Sequence, residues 1–472
     1  VEKRWAPESS TDIVFGYTRS HQNIYRNPSL AQWKQYGTSF NYSGTYTAGD
    51  TSYYKINERF TNVIFSAMHN DFKLSDELTL HIEPYTTFQR GPNNYGSTIP
   101  IAGGYLGTQQ YGTLDGYEGQ SGKVTVESVH PWKQNTSGFT TNLDWKTRHN
   151  TLSLFYWYSY GNHTEYQHQY ALSSSGYWSY NQKYLTVNGV AITGYQENTV
   201  QQVNAIGLDD KLTLFGDKLL IDAGFKASMA SVSATQNLPG ADPYKAGKNY
   251  FEPTPQLLTS YHITKNDQVY MNATTSYRLP SGWSPYVPQF SMTSATPSST
   301  PSKNLGAEYF IGEEVGYRHS GPINVSASWF HYNLTNHQIG SSSYLPGTSV
   351  LISTQIAAGG EEAWGFQGEI GTRPWHHISV YASGQFLHTR IGNNVDAGTD
   401  YLPTKEKQEP GAPRWSGAIG LTYDDGIYFG NSNLRYQGPP YSTLMNDQKI
   451  PGYMTDRKSA CRGNRADIGG RR

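Results

Sequence analysis

The stretch from Lys218 to Ser231 reads KLLIDAGFKASMAS, and apolar residues occupy every second position along it. The odd positions from Leu219 to Met229 are apolar, while the even positions include Lys218, Asp222 and Lys226. A period of two is typical of a β-strand with one apolar and one polar face. In a soluble sandwich the apolar face would pack into a protein core, whereas in a transmembrane barrel it would contact lipid. Periodicity alone does not separate these two cases.

The same alternation recurs along the chain, and small residues are frequent on its apolar side. Ala273 and Ala327 are examples; such residues suit fluid lipid but would leave voids in a packed core. This favours an all-β fold, an antiparallel transmembrane β-barrel of roughly sixteen strands. The predicted strands are Asp12–Thr18, Arg59–Asp71, Asp76–Gln89, Gly138–Thr147, Thr151–Tyr160, Val200–Leu214, Lys218–Ser231, Gln256–Ile263, Gln268–Arg278, Tyr309–His319, Ile323–Leu334, Ala363–Thr372, His377–Leu387, Trp415–Tyr423 and Ile427–Gln437, with Thr38–Thr47 as a weaker candidate.

Short turns and long polar connections alternate between these strands. The short turns are Lys73–Asp76, Thr147–Asn150, Gly216–Lys218, Lys265–Asp267, Ser320–Pro322, Arg373–His376 and Asp424–Gly426. The long connections are Gly91–Thr136, Gly161–Thr199, Val232–Pro253, Pro280–Ala307, Thr335–Glu362 and His388–Pro413. Bacterial outer-membrane barrels have this asymmetry, because short turns face the periplasm and long loops face outward. The pattern therefore predicts the outer membrane, and it places ligand capture on the long connections.

The composition is compatible with that location. The 472 residues carry a net charge of −1, which argues against a general nucleic-acid binder. Mean hydropathy is −0.64, and no apolar run reaches the roughly 18 residues of a membrane helix. Aromatic residues make up 14%, including 38 Tyr, which suits a membrane–water boundary but also an aromatic-rich secreted β-protein. No signal peptide precedes Val1-Glu2-Lys3, so we expect an incomplete barrel whose front is missing.

No motif for catalysis or for a cofactor is present: HExxH, GxSxG, a P-loop and a CxxC pair are all missing. The chain is therefore predicted not to be an enzyme and to hold no cofactor and no metal. The nearest metal-like group is His163, Glu165 and His168, which we interpret as polar loop side chains. The adjacent acids Glu361-Glu362 are interpreted as solvated rim residues, because neighbouring strand positions point to opposite faces.

Aromatic density in the long connections is the best candidate for a binding surface. Tyr and Trp offer rigid area with a hydrogen-bonding tip, which suits capture of a bulky chelate, although loop packing or an interfacial girdle would use the same residues. The predicted ligand-binding residues are Tyr105, Tyr111, Tyr117, Tyr166, His168, Tyr170, Tyr177, Trp178, Tyr180 and Tyr184.

The last seventeen residues, Asp456–Arg472, are basic and lack alternation. Because Arg, Lys and Asp occur at both parities, we expect no lipid-facing strand there. Residues 1–455 are accordingly predicted to form a single barrel domain, and residues 456–472 a separate atypical tail, either a flexible native end or an altered one.

Several stretches resemble the barrel of TonB-dependent outer-membrane receptors, the ferric-siderophore type most of all. They are Glu314–Arg318 followed by Ser328–Tyr332, Trp364–Glu369, Val269–Pro280, Gly207–Leu208 with Asp217–Lys226, and Pro413–Tyr423 with Leu434–Gly438 and Tyr441–Thr443. The resemblance covers most of residues 130–455 and is similar to the C-terminal part of the family barrel, without the plug domain. A full barrel of this family has about 22 strands.

The resemblance implies energised uptake of a scarce metal chelate, most of all a ferric siderophore. Its implied partners are outer-membrane lipid, the chelate, and the TonB complex, which is reached through the plug or N-terminal segment; no nucleic acid is implied. Two alternatives stay open at this point. One is a passive porin-like channel, and the other is a receptor of the same fold for cobalamin, haem or a glycan.

Overall fold

The computed structural model describes residues 2–25, 30–177, 182–280, 286–301, 306–344, 351–357, 359–396 and 401–462. Strands dominate them, and helix is confined to α1 (Leu30–Tyr36) and the two 3-10 turns Gly37–Ser39 and Tyr54–Ile56. The strands are β1 (Glu2–Ala6), β2 (Ser9–Asn23), β3 (Glu58–Lys73), β4 (Leu78–Pro100), β5 (Tyr105–Leu106), β6 (Gln109–Gln110), β7 (Lys123–Lys146), β8 (Asn150–Tyr166), β9 (His168–Ala171), β10 (Thr186–Val187), β11 (Val190–Ala191), β12 (Gln196–Leu214), β13 (Leu219–Gln236), β14 (Tyr244–His262), β15 (Asp267–Arg278), β16 (Gln289–Ser291), β17 (Ser294–Ser299), β18 (Glu308–His319), β19 (Ile323–Thr335), β20 (Gln338–Tyr344), β21 (Leu351–Ala357), β22 (Glu361–Thr372), β23 (Ile378–Ile391), β24 (Val395–Asp396), β25 (Tyr401–Leu402), β26 (Trp415–Asp424), β27 (Tyr428–Gln437) and β28 (Tyr453–Arg462). No helix in these ranges is long and apolar enough to cross a membrane.

One large antiparallel sheet of eighteen strands forms the wall. Sixteen of its strands are long and pair in chain order: β2, β3, β4, β7, β8, β12, β13, β14, β15, β18, β19, β22, β23, β26, β27 and β28. The short β1 pairs with β2, and β9 continues the line of β8 along β7. The predicted all-β antiparallel fold is confirmed. Within the described residues no pairing joins β28 to β1.

The two faces of this sheet differ as the alternation predicts. On β13, Phe225 and Met229 are 50% and 49% exposed, while Ser228 and Ala230 on the other face are 1% and 5% exposed. Cross-strand partners lie on the same face, and Met229 pairs with Phe251 of β14, which is also exposed. One face of the wall is therefore apolar and open, and we call the other one the polar face.

The short turns lie where they are predicted, but most of the long connections are shorter than expected. Strands β13 and β14 run through most of Val232–Pro253 and leave only residues 237–243 between them. Likewise β4 continues to Pro100 and β7 starts at Lys123, so residues 101–122 alone connect them. The extra segments have polar residues on both faces, so the apolar–polar alternation that marks a strand in sequence is missing there. The backbone hydrogen bonds of the sheet nevertheless continue.

Two further expectations are wrong. Thr38–Thr47 forms no strand; it contains the end of a 3-10 turn and a single bridge from Ser43 to Tyr53. The basic tail contributes a strand after all, because β28 reaches Arg462 and pairs with β27 along its whole length. Backbone pairing does not depend on side-chain parity, so a charged strand can still extend the sheet. Residues 463–472 lie outside the described residues.

Candidate functional site

Four connections at the long-loop edge of the sheet meet in a structure that we call the loop cap. It comprises residues 101–122, 185–195, 237–243 and 289–299. The Tyr105 amide donates to the Met292 carbonyl at 3.0 Å, and the Thr108 amide donates to the Gly240 carbonyl at 3.0 Å. Its core is apolar and contains Ile99, Leu106, Tyr111, Leu114, Val126, Leu185, Val187, Ile192 and Leu238. The loops therefore pack on one another as a small domain.

The loop cap lies on the polar face. Val126 belongs to its core, and Val126 has the parity of Thr140 and Asn142, which face the polar side of β7. The register between β4 and β7 is unbroken from Leu78–Trp145 to Pro100–Lys123, so the parity is kept over the whole strand. The cap consequently covers the end of the polar face.

A buried hydrogen-bond network joins the cap to the wall around His130. The Gln167 side-chain amide donates to His130 Nε2 at 2.9 Å and to Ser128 Oγ at 2.8 Å. The Tyr195 hydroxyl contacts His130 Nδ1 and donates to Glu165 Oε1 at 2.9 Å. These contacts fit a neutral imidazole with its proton on Nδ1, because Nε2 then accepts. The network fixes residues 194–195 of the cap against β7 and β8.

Burial keeps this network uncharged at its centre. It lowers the pKa of His130 to about 4, against a smaller raising effect of the Glu165 carboxylate. Burial also raises the pKa of the Tyr195 hydroxyl, with Glu165 as the next cause. A neutral, satisfied network makes a rigid support, and neither group is poised for proton transfer near neutral pH.

Glu197 is the unusual residue beside this network. It pairs across the strands with Glu165 and with Gln236, so the three side chains share the polar face. Glu197 is 2% exposed, and its carboxyl oxygens have no hydrogen-bond partner among the described residues. Burial, and after it the charge of Glu165, raises the pKa of Glu197 to about 9. The carboxyl group is therefore protonated at neutral pH.

The predicted aromatic residues do not form one surface, because the wall separates them. Tyr105, Tyr111 and Tyr117 belong to the loop cap; Tyr111 is buried there and donates from its hydroxyl to the Pro100 carbonyl at 2.7 Å. Burial raises the pKa of Tyr111 to about 12, which fits a structural tyrosine.

A second group of predicted residues forms a ring cluster on the other side of the wall. Its members are Tyr166, His168, Tyr170 and Tyr184. The ring centroids are 5.0 Å apart for Tyr166 and His168, 4.4 Å for His168 and Tyr184, and 6.4 Å for Tyr170 and Tyr184. His168 pairs with Val129 and Tyr170 with Glu127, which places them opposite Ser128 and His130. Tyr177 is exposed, and Trp178 and Tyr180 lie outside the described residues.

The alternation of side chains also divides the predicted group of His163, Glu165 and His168 between the two faces of the sheet. His163 and Glu165 share the polar face at 3.3 Å, whereas His168 joins the ring cluster. Trp132 stacks on His163 with ring centroids 6.3 Å apart and was not among the predicted site residues. His130 and Tyr195 were not among them either. Continuing the β7 alternation beyond Gly138 would have placed Trp132 and His130 on the polar face.

Further along the wall, the polar face lines an open trough of about 600 Å³. Its lining includes Gln367, Glu369, Gln385 and Arg435, all of polar-face parity. The trough offers hydrogen-bonding groups and little apolar area, so it suits contact with water or with a polar protein surface.

Comparison with known proteins identifies this architecture. The sequence matches the family described as TonB dependent receptor-like, beta-barrel, over residues 5–457. A comparison with curated protein sequences found no match.

Solved structures with the same fold share little sequence with the chain. The ferric yersiniabactin uptake receptor FyuA of Yersinia pestis has a TM-score of 0.64 and 14% identity, covering 96% of this chain and 60% of the receptor. The ferric citrate transporter FecA has a TM-score of 0.63 and 15% identity, with the same two coverages, 96% and 60%. The copper transporter OprC has a TM-score of 0.57 and 12% identity, covering 84% of this chain and 56% of the transporter.

The chain thus spans about 60% of the length of FyuA and FecA. At these identities the structures show a shared fold and not a shared ligand. The family match covers nearly all of the chain, and the chain belongs to the TonB-dependent receptor-like β-barrel family.

Proposed function

We propose that this chain is the barrel wall of an outer-membrane receptor for TonB-dependent uptake of a ferric siderophore. The observation that carries the proposal is the family match over residues 5–457, together with fold relatives that are named for ferric chelates. The arrangement of the wall supports it. In barrels of this kind the apolar face meets lipid, and the polar face lines an interior that is covered on the outside by long loops.

The loop cap is the element best placed to receive the chelate. It covers the polar face at the long-loop edge, and Tyr105 and Tyr117 are half-buried in it. We assign ligand contact to these two residues first, since their rings can combine apolar area with a hydroxyl. The ring cluster and Tyr177 are proposed as outer contacts that a chelate would meet before it reaches the cap.

Uptake by such a barrel makes or breaks no covalent bond, so we propose a transporter and not an enzyme, and one that holds no resident organic cofactor. The energy for passage would come from the TonB complex. In this family that complex acts through a plug or N-terminal segment. The polar trough beside Gln367 and Arg435 is a surface on which a plug could pack.

Uptake by intact cells tests the proposal. Cells with this protein as their only receptor for a chelate would be given radioactive iron as one of several ferric siderophores, with and without a functional tonB gene. We expect accumulation of one siderophore class, and we expect it to stop without TonB. Tyr105→Ala with Tyr117→Ala should weaken binding of that siderophore, and Tyr261→Ala, on the apolar face at the short-turn end of β14, is the matched control.

The alternatives give different results. A passive channel would admit small solutes at the same rate with and without TonB. A receptor for cobalamin, haem or a glycan would bind that ligand and leave every ferric siderophore in the medium. Either result would contradict the proposed ligand class.

A further inference from the structure

A histidine and two glutamates from distant parts of the sequence meet at the long-loop edge of β22. His337 lies just before β20, Glu361 starts β22, and Glu409 lies in the connection between β25 and β26. One ligand atom from each residue lies within 4.8 Å of the others. Ligands bound to one Zn²⁺ at about 2.0–2.2 Å are roughly 3.5 Å apart, so small side-chain rotations would bring all three onto a single ion.

The imidazole of His337 is oriented as a metal ligand requires. Its Nδ1 lies 3.0 Å from Glu308 Oε1, which leaves Nε2 for the group formed with Glu361 and Glu409. A histidine that binds a metal usually donates its other ring N–H to a carboxylate in this way.

Glu308 is itself held firmly. Its side chain is 5% exposed. Arg278 Nη2 donates to Oε1 at 2.7 Å, and the backbone N–H of Gln338 donates to the same oxygen at 2.6 Å. The carboxylate that orients His337 is therefore fixed from two directions before any ion arrives.

The space between the three side chains has the size of one ion. The cavity that they line measures about 10 Å³ and is closed on its other sides by Ile391, Val395 and Leu444. A chelate such as a siderophore does not fit in it, whereas a single cation does. The apolar surroundings strengthen the attraction between a cation and the two carboxylates.

From this geometry we propose that His337, Glu361 and Glu409 bind a divalent transition-metal ion, with Glu308 as the residue that positions His337. One imidazole nitrogen with two carboxylate oxygens suits Zn²⁺ and the neighbouring first-row ions better than Ca²⁺ or Mg²⁺, which prefer oxygen ligands alone. The bound ion would connect the start of β22 to the connections on either side of it. It would act as a clamp on the outer loops and not as transported cargo.

The charge balance of the site agrees with a cation. Glu361 and Glu409 hold two carboxyl groups within 4.8 Å of each other in a half-buried space, where two negative charges repel each other. A divalent ion would relieve this repulsion.

Zinc titration of the purified protein tests the proposal. The whole chain in detergent would be stripped with EDTA and titrated with Zn²⁺ against a chromogenic chelator. We expect one Zn²⁺ per chain, and at least about tenfold weaker binding in His337→Gln, Glu361→Gln and Glu409→Gln. Loss of an outer-shell partner costs about 10- to 100-fold in metal affinity, so Glu308→Gln should fall in that range.

Glu362→Gln is the matched control, because Glu362 follows Glu361 directly but faces the opposite side of β22, where it pairs with Arg390. It should bind Zn²⁺ as the unaltered protein does. In the unaltered protein, Co²⁺ should give the absorption bands of a low-symmetry nitrogen–oxygen site, and Zn²⁺ should slow hydrogen exchange of residues 403–411. The Co²⁺ and exchange measurements need no variant, so they decide the question even if a variant does not fold. Binding that survives all three ligand changes, or an unaltered protein that binds no Zn²⁺ at micromolar concentration, would overturn the proposal.

Discussion

Ala273 and Thr274 are neighbours in the middle of β15 that meet two different solvents in a membrane-embedded barrel. Ala273 shares the face of Val269 and Met271, which are 38% and 40% exposed, and Thr274 points to the polar face. We predict that Ala273→Arg destabilises the barrel by about 2–4 kcal/mol, the range for an arginine near the bilayer midplane, and that Thr274→Arg costs far less. The measurement is reversible unfolding in lipid vesicles. Equal costs at the two positions would reject the assignment of the faces.

Glu197 predicts a pH dependence of stability whose sign follows from its raised pKa. The folded state keeps the proton up to about pH 9, while a glutamate in the unfolded chain loses it near its ordinary pKa of 4.5. Folding therefore binds a proton across this window, and the contribution of Glu197 to stability falls as the pH rises from 4.5 towards 9. Glu197→Gln keeps the shape of the side chain and removes the titration, so the advantage of the variant should grow with pH.

The comparison is best made between pH 7 and 9 by heat-dependent mobility in detergent. His130, with its pKa lowered to about 4, is neutral in the folded state there and mostly neutral in the unfolded state, so it adds little slope. A difference between Glu197→Gln and the unaltered protein that stays constant over this range would show that Glu197 is already ionised in the folded protein.

At the scale of elements, the hairpin of β13 and β14 is longer in the structure than the alternation in the sequence predicts. Residues 244–255 have the composition of a loop but pair with β13 from Tyr244–Gln236 to Pro255–Phe225. We predict slow exchange for the alternate amides of residues 244–255 that point at β13, and fast exchange for residues 239–242. Hydrogen exchange with mass spectrometry measures both in one experiment. Fast exchange throughout 239–252 would mean that the hairpin ends near Ser231.

The elements that the sequence predicts are those with a different solvent on each side. Lys218–Ser231 is such a segment, and its faces are assigned correctly because lipid and water select opposite side chains. Above the membrane both sides of a strand are polar or covered by loops, so β4, β7 and β14 extend beyond their predicted ends. The alternation stops where the lipid stops, although the hydrogen-bonded ladder does not.

The candidate sites were harder to predict because they combine distant parts of the chain. Tyr195 and His130 are 65 residues apart and meet only through the cap. His337 and Glu409 come from two connections and Glu361 from the start of β22, and no local spacing joins them. The aromatic composition of the loops was readable in sequence. The division of those aromatics between the cap and the ring cluster was not, because it depends on the register of β9 against β7.

For the whole molecule, the separation of long and short connections predicts one orientation in the membrane. Lys183 lies in a long connection and Lys265 in a short turn, and both are exposed. They lie at opposite edges of the sheet, since the loop cap and the β14–β15 turn terminate opposite ends of the strands. If the cap faces outward, only Lys183 is reachable from the medium of intact cells.

Single cysteines test this orientation directly. Cys461 is the only cysteine of the chain, so Cys461→Ser provides a background without thiols for Lys183→Cys and Lys265→Cys. A membrane-impermeant maleimide should label Lys183→Cys on intact cells and should label Lys265→Cys only after the outer membrane is opened. The reason is that short turns face the periplasm in barrels of this class. Labelling of Lys265→Cys on intact cells, with Lys183→Cys protected until the membrane is opened, would invert the orientation, and the loop cap could then not be the surface that captures a ligand from outside.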